Sequence, residues 1–327
     1  MRAITFDQPG GPEVLVWGEA TLPTPSTHDV VIDVTAAGVN NADLLQRAGR
    51  YPVPAGASPI LGLECAGVIS WVGSGVTGWS VGDRVCALMT GGAYAEQVVV
   101  DADLLLPIPQ GLTDVEAASL PEAACTVYSN LAMTAHLAAG QTLLVHGGAS
   151  GIGSFAIQWA TALGATVLTT AGSADKLERC LEFGADALIN YRTEDFVEAT
   201  TAATAGRGAD VILDIVGGSY LERNVRALAP DGHLVVIGTS GGSGDGPLNL
   251  GTLMAKRASV SGTTLRGRPH AQKAAIVAAV RRDVWPLVEG GRIVPVVDSV
   301  IPLPDAAAAH TLLAGGGTVG KVVLRAD

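Results

Sequence analysis

Gly148, Ser150, Gly151 and Gly153 sit on one turn between an apolar run and a helical pattern, and residues of these types at this spacing can cradle a phosphate. The run Leu143 to Val145 reads as a buried strand, and Ile152, Phe155, Trp159 and Leu163 recur on one helical face. A strand that passes through small residues into a helix aims backbone N–H groups at the space ahead of the helix, where a pyrophosphate can sit. Gly148 is expected to permit the tight turn, and Gly151 and Gly153 to allow close approach of ligand and of helix to strand. The G-x-G-x-x-G pattern carries serine, Ser150, at its middle glycine, so the match is incomplete. Gly148, Ser150, Gly151, Ile152 and Gly153 are the expected phosphate-side contacts.

A dinucleotide's ribose 2′-hydroxyl is bound by Asp or Glu roughly 20 residues beyond such glycines. Here the corresponding stretch is Thr169-Thr170-Ala171-Gly172-Ser173-Ala174-Asp175-Lys176. Ala171 stands where the carboxylate would be, beside Gly172, and Ser173 and Lys176 follow on the next turn. A small residue, a hydroxyl and an ammonium suit a 2′-phosphate of about −2 charge, and Tyr191 can reach the same side. Asp175 points away by the helix period. The expected cofactor is therefore NADPH, with an ordinary surface lysine as the competing reading of Lys176.

These residues need elements to hold them. From Gln141 the chain alternates strands (142–146, 166–170, 187–191, 210–215, 233–238, 259–264) with helices (about 151–163, 174–183, 195–204, 219–229, 249–257). Six strands alternating with helices predict an α/β, doubly wound parallel Rossmann sheet with right-handed crossovers. Residues 1 to about 118 lack that alternation. Strand-like runs at 30–35, 67–72, 84–88 and 94–100, separated by Pro and Gly, predict a mainly antiparallel, barrel-like domain. One helix, 41–48, interrupts it, and a capping box at Thr113 and Glu116 opens a helical region to about Leu137. After Leu265 come a long helix (269–289), a strand (294–300), a helix (305–314) and a terminal strand (320–325). The expected layout is a nucleotide-binding domain, 121–263, inserted into a discontinuous domain of residues 1–120 and 264–327, with the cleft between them as the expected site.

Composition limits the function classes. A net charge of −11 disfavours nucleic acid and anionic membranes, which need basic surface. No apolar run approaches the length of a membrane span, and the N-terminus lacks a signal-peptide pattern. The four cysteines, Cys65, Cys86, Cys125 and Cys180, have no metal-type spacing and read as buried reduced thiols. A cytoplasmic enzyme is expected.

Glu13-Val14-Leu15, Ala36-Ala37-Gly38-Val39-Asn40-Asn41-Ala42-Asp43, Leu61-Gly62-Leu63-Glu64-Cys65-Ala66-Gly67, Val81-Gly82-Asp83-Arg84-Val85 and Gly320-Lys321-Val322-Val323-Leu324 resemble the medium-chain dehydrogenase/reductase superfamily across essentially the whole chain. Within it the chain is similar to the zinc-free, NADPH-dependent quinone oxidoreductases related to zeta-crystallin. The resemblance implies that the antiparallel domain is GroES-like. It also exposes departures from the zinc alcohol dehydrogenases: Asn40 stands at a cysteine position, Leu63 at a histidine position, and the third ligand position falls on Glu122. One carboxylate cannot hold a catalytic zinc, which needs three protein ligands, and the four-cysteine structural lobe is absent. No metal is expected.

The resemblance further implies that Asn40, Tyr51 and Thr126 line the nicotinamide and acceptor pocket, and that Gly217, Gly238, Thr239, Ser240, Leu265 and Lys321 lie around the cofactor. Asn40 has a second reading as a helix N-cap, and Tyr51 as a packed loop residue. Arg266 and Arg268 read as anion-site candidates or as solvated surface arginines, and His146 as buried and hydrogen-bonded. The expected activity is NADPH-dependent reduction of a quinone. The alternatives are an enone or 2-alkenal double-bond reductase on the same scaffold, and a non-catalytic structural or RNA-binding relative, which the charge and the intact turn disfavour. A homodimer is expected through the edge strand 259–264.

Overall fold

The computed structural model describes residues 1–242 and 244–326. The chain forms two units, one of Met1–Cys125, Leu265–Glu289 and the segment from Pro295 on, the other of Thr126–Thr264 with Gly290–Val294.

In the first unit β1 (Arg2–Thr5) and β2 (Val16–Glu19) pair antiparallel. The long strand β3 (Asp29–Val39) pairs antiparallel with β4 (Glu64–Val72) and β6 (Gln97–Asp101), β4 pairs with β5 (Arg84–Leu88), and β5 with β7 (Leu105–Pro107). From Val30 to Val39 β3 is buried at all but Asp33 and Thr35 instead of alternating, so both faces of the strand are covered. The helix Asn41–Arg47 follows β3 directly, with Asp43 reaching back to accept the Asn40 N–H at 2.8 Å. Thr113 and Glu116 form the expected capping box. The helical region beyond it comes in three pieces, Asp114–Ala117, Pro121–Tyr128 and the wider turn Ser129–Thr134.

The second unit is a parallel sheet of β8 (Thr142–His146), β9 (Thr166–Ala171), β10 (Ala187–Asn190), β11 (Ala209–Asp214), β12 (Leu228–Val236) and β13 (Ser259–Gly262), in the order β10-β9-β8-β11-β12-β13. The first three strands run outward one way and the last three the other, so β8 and β11 flank the point where strand order reverses. The intervening helices include Gly151–Leu163, Ala174–Glu182, Phe196–Ala203, Leu221–Ala227 and Leu250–Lys256. Leu144, Leu168, Ile189, Phe196, Ile212, Val225 and Leu234 form a buried core beneath one set of helices, each such side chain contributing roughly 1.5–3 kcal/mol. The helix expected over 219–229 gives way to strand at Leu228, because Pro230 drives Ala229 toward extended backbone and Asp231 turns the chain at φ 62°. Gln158 binds both backbone groups of Val294, which ties residues 290–294 to this unit.

The chain then completes the first unit's sheet with β14 (Val297–Pro302) and β15 (Lys321–Arg325), giving the order β14-β15-β3-β4-β5-β7 with β6 on β3. Apart from the parallel β14–β15 pair, this sheet is antiparallel. The helix expected over 269–289 is two helices, His270–Asp283 and Trp285–Glu289. Pro286 lacks the N–H that a continuous helix would use, and fits only at the start of a new one. No helix among the described residues is long and apolar enough to cross a membrane.

Candidate functional site

In the parallel-sheet unit the expected phosphate turn lies beyond the carboxyl end of β8. Gly147, not Gly148, makes the turn, with φ +72°. Gly148 serves close approach instead: a Cβ there would collide with Thr169 Oγ1 on β9 and stand 3.0 Å from Cys180 Sγ. A Cβ on Gly153 would run into the backbone of Gly147 and Gly148, so Gly153 lets the helix press on the turn. Ser150 takes the N-cap position, accepting the Gly153 N–H at 3.0 Å and donating its hydroxyl to Gly147 O at 2.7 Å. The serine in the glycine pattern thus starts the helix. Gly151 and Ile152 open it, and first-turn N–H groups have no intrahelical acceptor.

At Gly172, at the end of β9, the structure brings in Tyr191, one of the expected 2′-phosphate partners, and Arg192. A Cβ on Gly172 would stand 2.5 Å from the Tyr191 hydroxyl and 3.2 Å from Arg192 Nε. Ser173 precedes the helix Ala174–Glu182 and is exposed. Lys176 lies on that helix near Cys180, whose thiol burial pushes up to about 11 while the ammonium draws it down. Ala171 itself is buried and offers no carboxylate. Arg192 was not singled out from sequence, although its place directly after Tyr191 carried the signal. Two turns of the other half-sheet hold the remaining candidates: Gly217 has φ +81°, a Cβ on it would stand 2.9 Å from Gly238 O and 3.0 Å from Thr239, and Ser240 donates N–H and O–H to Ile215 O.

A buried chain of hydrogen bonds ties the Gly147 turn to the Gly217 turn. Gly147 N–H donates to Thr170 Oγ1 at 3.3 Å, and Thr170 lies 3.1 Å from His146 Nδ1. His146 Nε2 lies 2.8 Å from Asn224 Oδ1, and Asn224 Nδ2 donates to Asp214 at 2.9 Å. Asp214 in turn accepts the N–H groups of Val216 and Gly217. With Asn224 oriented by Asp214, His146 carries its proton on Nε2 and accepts from Thr170. Burial pushes His146 down to about 4, so it is neutral and structural, as expected. Asp214, Asn224 and Thr170 were not legible as its partners, because they come from strands and helices distant in sequence.

In the first unit Asn40 occupies the N-cap position, yet its side chain faces a buried ion pair. Asn40 Nδ2 donates to Glu64 Oε1 at 2.9 Å, and Lys321 Nζ donates to Asn40 Oδ1 at 2.6 Å and pairs with Glu64. Glu64 also accepts the Glu122 N–H at 2.9 Å. Gly38 makes room for it, since a Cβ there would collide with the Glu64 carboxylate. Lys321, expected beside the cofactor, turns its side chain to Glu64 and Asn40. Beneath them Asp43 accepts from Gly62 N–H and the Tyr94 hydroxyl, and burial pushes it up to about 6.

Tyr51 lies on the loop beyond this helix, with the Arg266 guanidinium 5.4 Å over its ring. Burial pushes its hydroxyl upward, Arg266 draws it down, and Glu122 and Asp43 raise it. Leu265 is buried beside Arg266 in the chain. Thr126, at the start of the second unit, is buried, and its carbonyl accepts from Asn130 Nδ2 at 2.8 Å.

The groups at the zinc-ligand positions do not suit the metal. Asn40 offers an amide and Leu63 a buried alkyl chain, which leaves Glu122 as the one carboxylate of the set, and the neighbouring Glu64 is already paired with the Lys321 ammonium, which would repel a second cation. The four cysteines are buried and free, and burial raises every thiol, Cys65 to about 12.

Residues 151–280 match the zinc-binding dehydrogenase family, and residues 26–110 match the alcohol dehydrogenase GroES-like domain. The chain is 36% identical to quinone oxidoreductase 1 of Escherichia coli K12, covering 98% of both chains. It is 33% identical to 2-haloacrylate reductase of a Burkholderia species, covering 99% of this chain and 98% of that one. Among solved structures it is similar to the Escherichia coli quinone oxidoreductase complexed with NADPH, with a TM-score of 0.88 and 34% identity over 99% of this chain and 100% of that one.

Proposed function

This chain belongs to the quinone oxidoreductase family of medium-chain dehydrogenase/reductases, and from that premise we propose that it reduces quinones with NADPH and without zinc. Bound NADPH supplies a hydride, leaving as NADP⁺, and a proton completes the hydroquinone. The observation that carries the cofactor half is the turn at Gly172, where Ala171 replaces the carboxylate and Tyr191 and Arg192 close on the glycine. A 2′-phosphate fits that set, and a pyrophosphate fits the first turn of the Gly151–Leu163 helix.

The chain's own residues bind, orient and balance charge. The Gly147–Gly153 turn and the Gly217 and Gly238–Ser240 turns hold the nucleotide largely through backbone. Asn40 keeps one amide hydrogen for the acceptor's oxygen, because Lys321 and Glu64 fix its orientation. Tyr51, held protonated by burial, donates a hydrogen bond to the oxygen that gains charge. Thr126 lines the nicotinamide, Leu265 packs against the cofactor, and Lys321 acts through Asn40.

A second reading, reduction of a conjugated enone or 2-alkenal, is favoured by the likeness to 2-haloacrylate reductase. Both acceptors are flat, apolar and electron-poor, with a carbonyl to bind. The test is the rate of NADPH oxidation across a panel of quinones and 2-alkenals; absence of turnover with all of them contradicts the reading. We also propose residues 1–120 and 264–327 as the catalytic domain around a nucleotide-binding domain, 121–263, a cytoplasmic setting, and a homodimer paired across β13, the last strand in its sheet order. A monomer across micromolar concentrations in light scattering contradicts the dimer.

A further inference from the structure

Asp101, Asp103 and His270 bring two carboxylates and an imidazole together from two separate stretches of the first unit. Asp101 ends β6, and Asp103 lies on the short turn Ala102–Leu104 that follows. His270 opens the helix His270–Asp283, which packs on that turn. The turn holds its own shape: Asp101 Oδ1 accepts the Asp103 N–H at 2.9 Å, which leaves Asp101 Oδ2 facing the imidazole.

The three groups stand apart at the spacing of ligands around an ion. His270 Nε2 is 3.5 Å from Asp101 Oδ2 and 3.7 Å from Asp103 Oδ2. Both separations exceed the roughly 2.7–3.2 Å of an N–H···O hydrogen bond. Bonds of about 2.0–2.2 Å from a tetrahedral Zn²⁺ to nitrogen and oxygen put its ligand atoms roughly 3.3–3.6 Å apart. One ligand atom from each residue lies within 4.8 Å of the other two, and Asp103, the most exposed of the three, has room to turn inward.

The charge at this corner is also unbalanced. Asp101 stands opposite Asp29 in the register of β3 with β6, and like charges so placed repel. Among the described residues none of the three aspartates pairs with a lysine or an arginine. A protonated imidazole would offset one negative charge, whereas a divalent cation on the neutral ring offsets two.

We propose that Asp101, Asp103 and His270 bind a first-row divalent cation of the Zn²⁺ type, with water completing the tetrahedron. Imidazole and carboxylate together suit such an ion, whereas Ca²⁺ and Mg²⁺ take oxygen ligands. The ion ties the end of β6 to the helix His270–Asp283. This set shares no residue with the positions Asn40, Leu63 and Glu122, and it serves the fold, not hydride transfer.

The test is calorimetric titration of ZnCl₂ into protein stripped with EDTA and dialysed. It compares the wild type, His270→Gln, Asp103→Asn and, as a control, His28→Gln. The substituted side chains are exposed or half-exposed, so the variants keep the fold. A single Zn²⁺ should bind the wild type and His28→Gln alike, with affinity at least about tenfold lower in His270→Gln and in Asp103→Asn. Saturating Zn²⁺ should raise the thermal midpoint of the wild type and not that of His270→Gln. Excess Ca²⁺ should leave the Zn²⁺ in place. No Zn²⁺ binding by the wild type, an affinity unchanged in either ligand variant, or displacement by Ca²⁺ overturns the proposal.

Discussion

Lys321 and Glu64 form an ion pair inside the first unit, the lysine side chain 8% exposed and the glutamate fully buried. Removing one partner strands the other's charge. Lys321→Met should therefore destabilise the protein by about 3–5 kcal/mol, whereas the double variant Glu64→Gln, Lys321→Met should recover most of the loss. Urea titrations of the wild type, both single variants and the double variant measure this. A single variant as stable as the wild type means the pair is solvated.

His146 predicts the sign of one pH dependence. Its pKa is lowered in the fold from the usual 6.5 to about 4, so its contribution is full above pH 6.5 and lost as pH falls toward 4. The loss amounts to about 1.4 kcal/mol per pH unit across that window. Asp43 and Asp214, raised from 3.8 to about 6, act the other way: their contribution is full below pH 3.8 and lost as pH rises through about 6. The difference between wild type and His146→Gln isolates the histidine. The wild type should lose stability relative to that variant on acidification, and parallel curves refute the assignment.

Tyr51→Phe removes the hydroxyl and leaves the ring under Arg266. One hydrogen bond to the charged oxygen is worth roughly 1–3 kcal/mol, so kcat/KM should fall about five- to a hundredfold with NADPH affinity unchanged. Full activity on every quinone and enone tried makes Tyr51 a packing residue.

The parallel sheet was legible because short, mostly apolar runs alternate with helical patterns, and several helices start on a capping residue, as at Ser150, Asp195 and Asn249. Strand Thr142–His146 and helix Gly151–Leu163 match their expected bounds, with Ser150 as the cap. Elsewhere a local signal was outweighed. Helical periodicity ran through Pro286, which breaks it, and into Leu228, which pairs with Ala209 across the sheet. The hairpin of Arg2–Thr5 and Val16–Glu19 was missed because its partners are separated by a long loop. In the candidate site, the family resemblance pointed to Asn40 and Tyr51, and the residue types pointed to the Gly172 turn. They were silent on the partner of Lys321, because that ion pair joins β15 to β4 through tertiary packing.

The cofactor preference is the most direct test of the whole reading. It is measured as KM for NADPH and for NADH, with one quinone, in the wild type, Lys176→Ala and Ala171→Asp. The wild type should prefer NADPH. Lys176→Ala should weaken NADPH by about ten- to a hundredfold and leave NADH nearly unchanged, since a charge-assisted bond to phosphate contributes roughly 1.5–3 kcal/mol. Ala171→Asp should shift the preference toward NADH by repelling the 2′-phosphate and binding the free ribose hydroxyl. Equal losses for both cofactors in Lys176→Ala would make the lysine structural, and a wild type that prefers NADH would contradict the assignment outright.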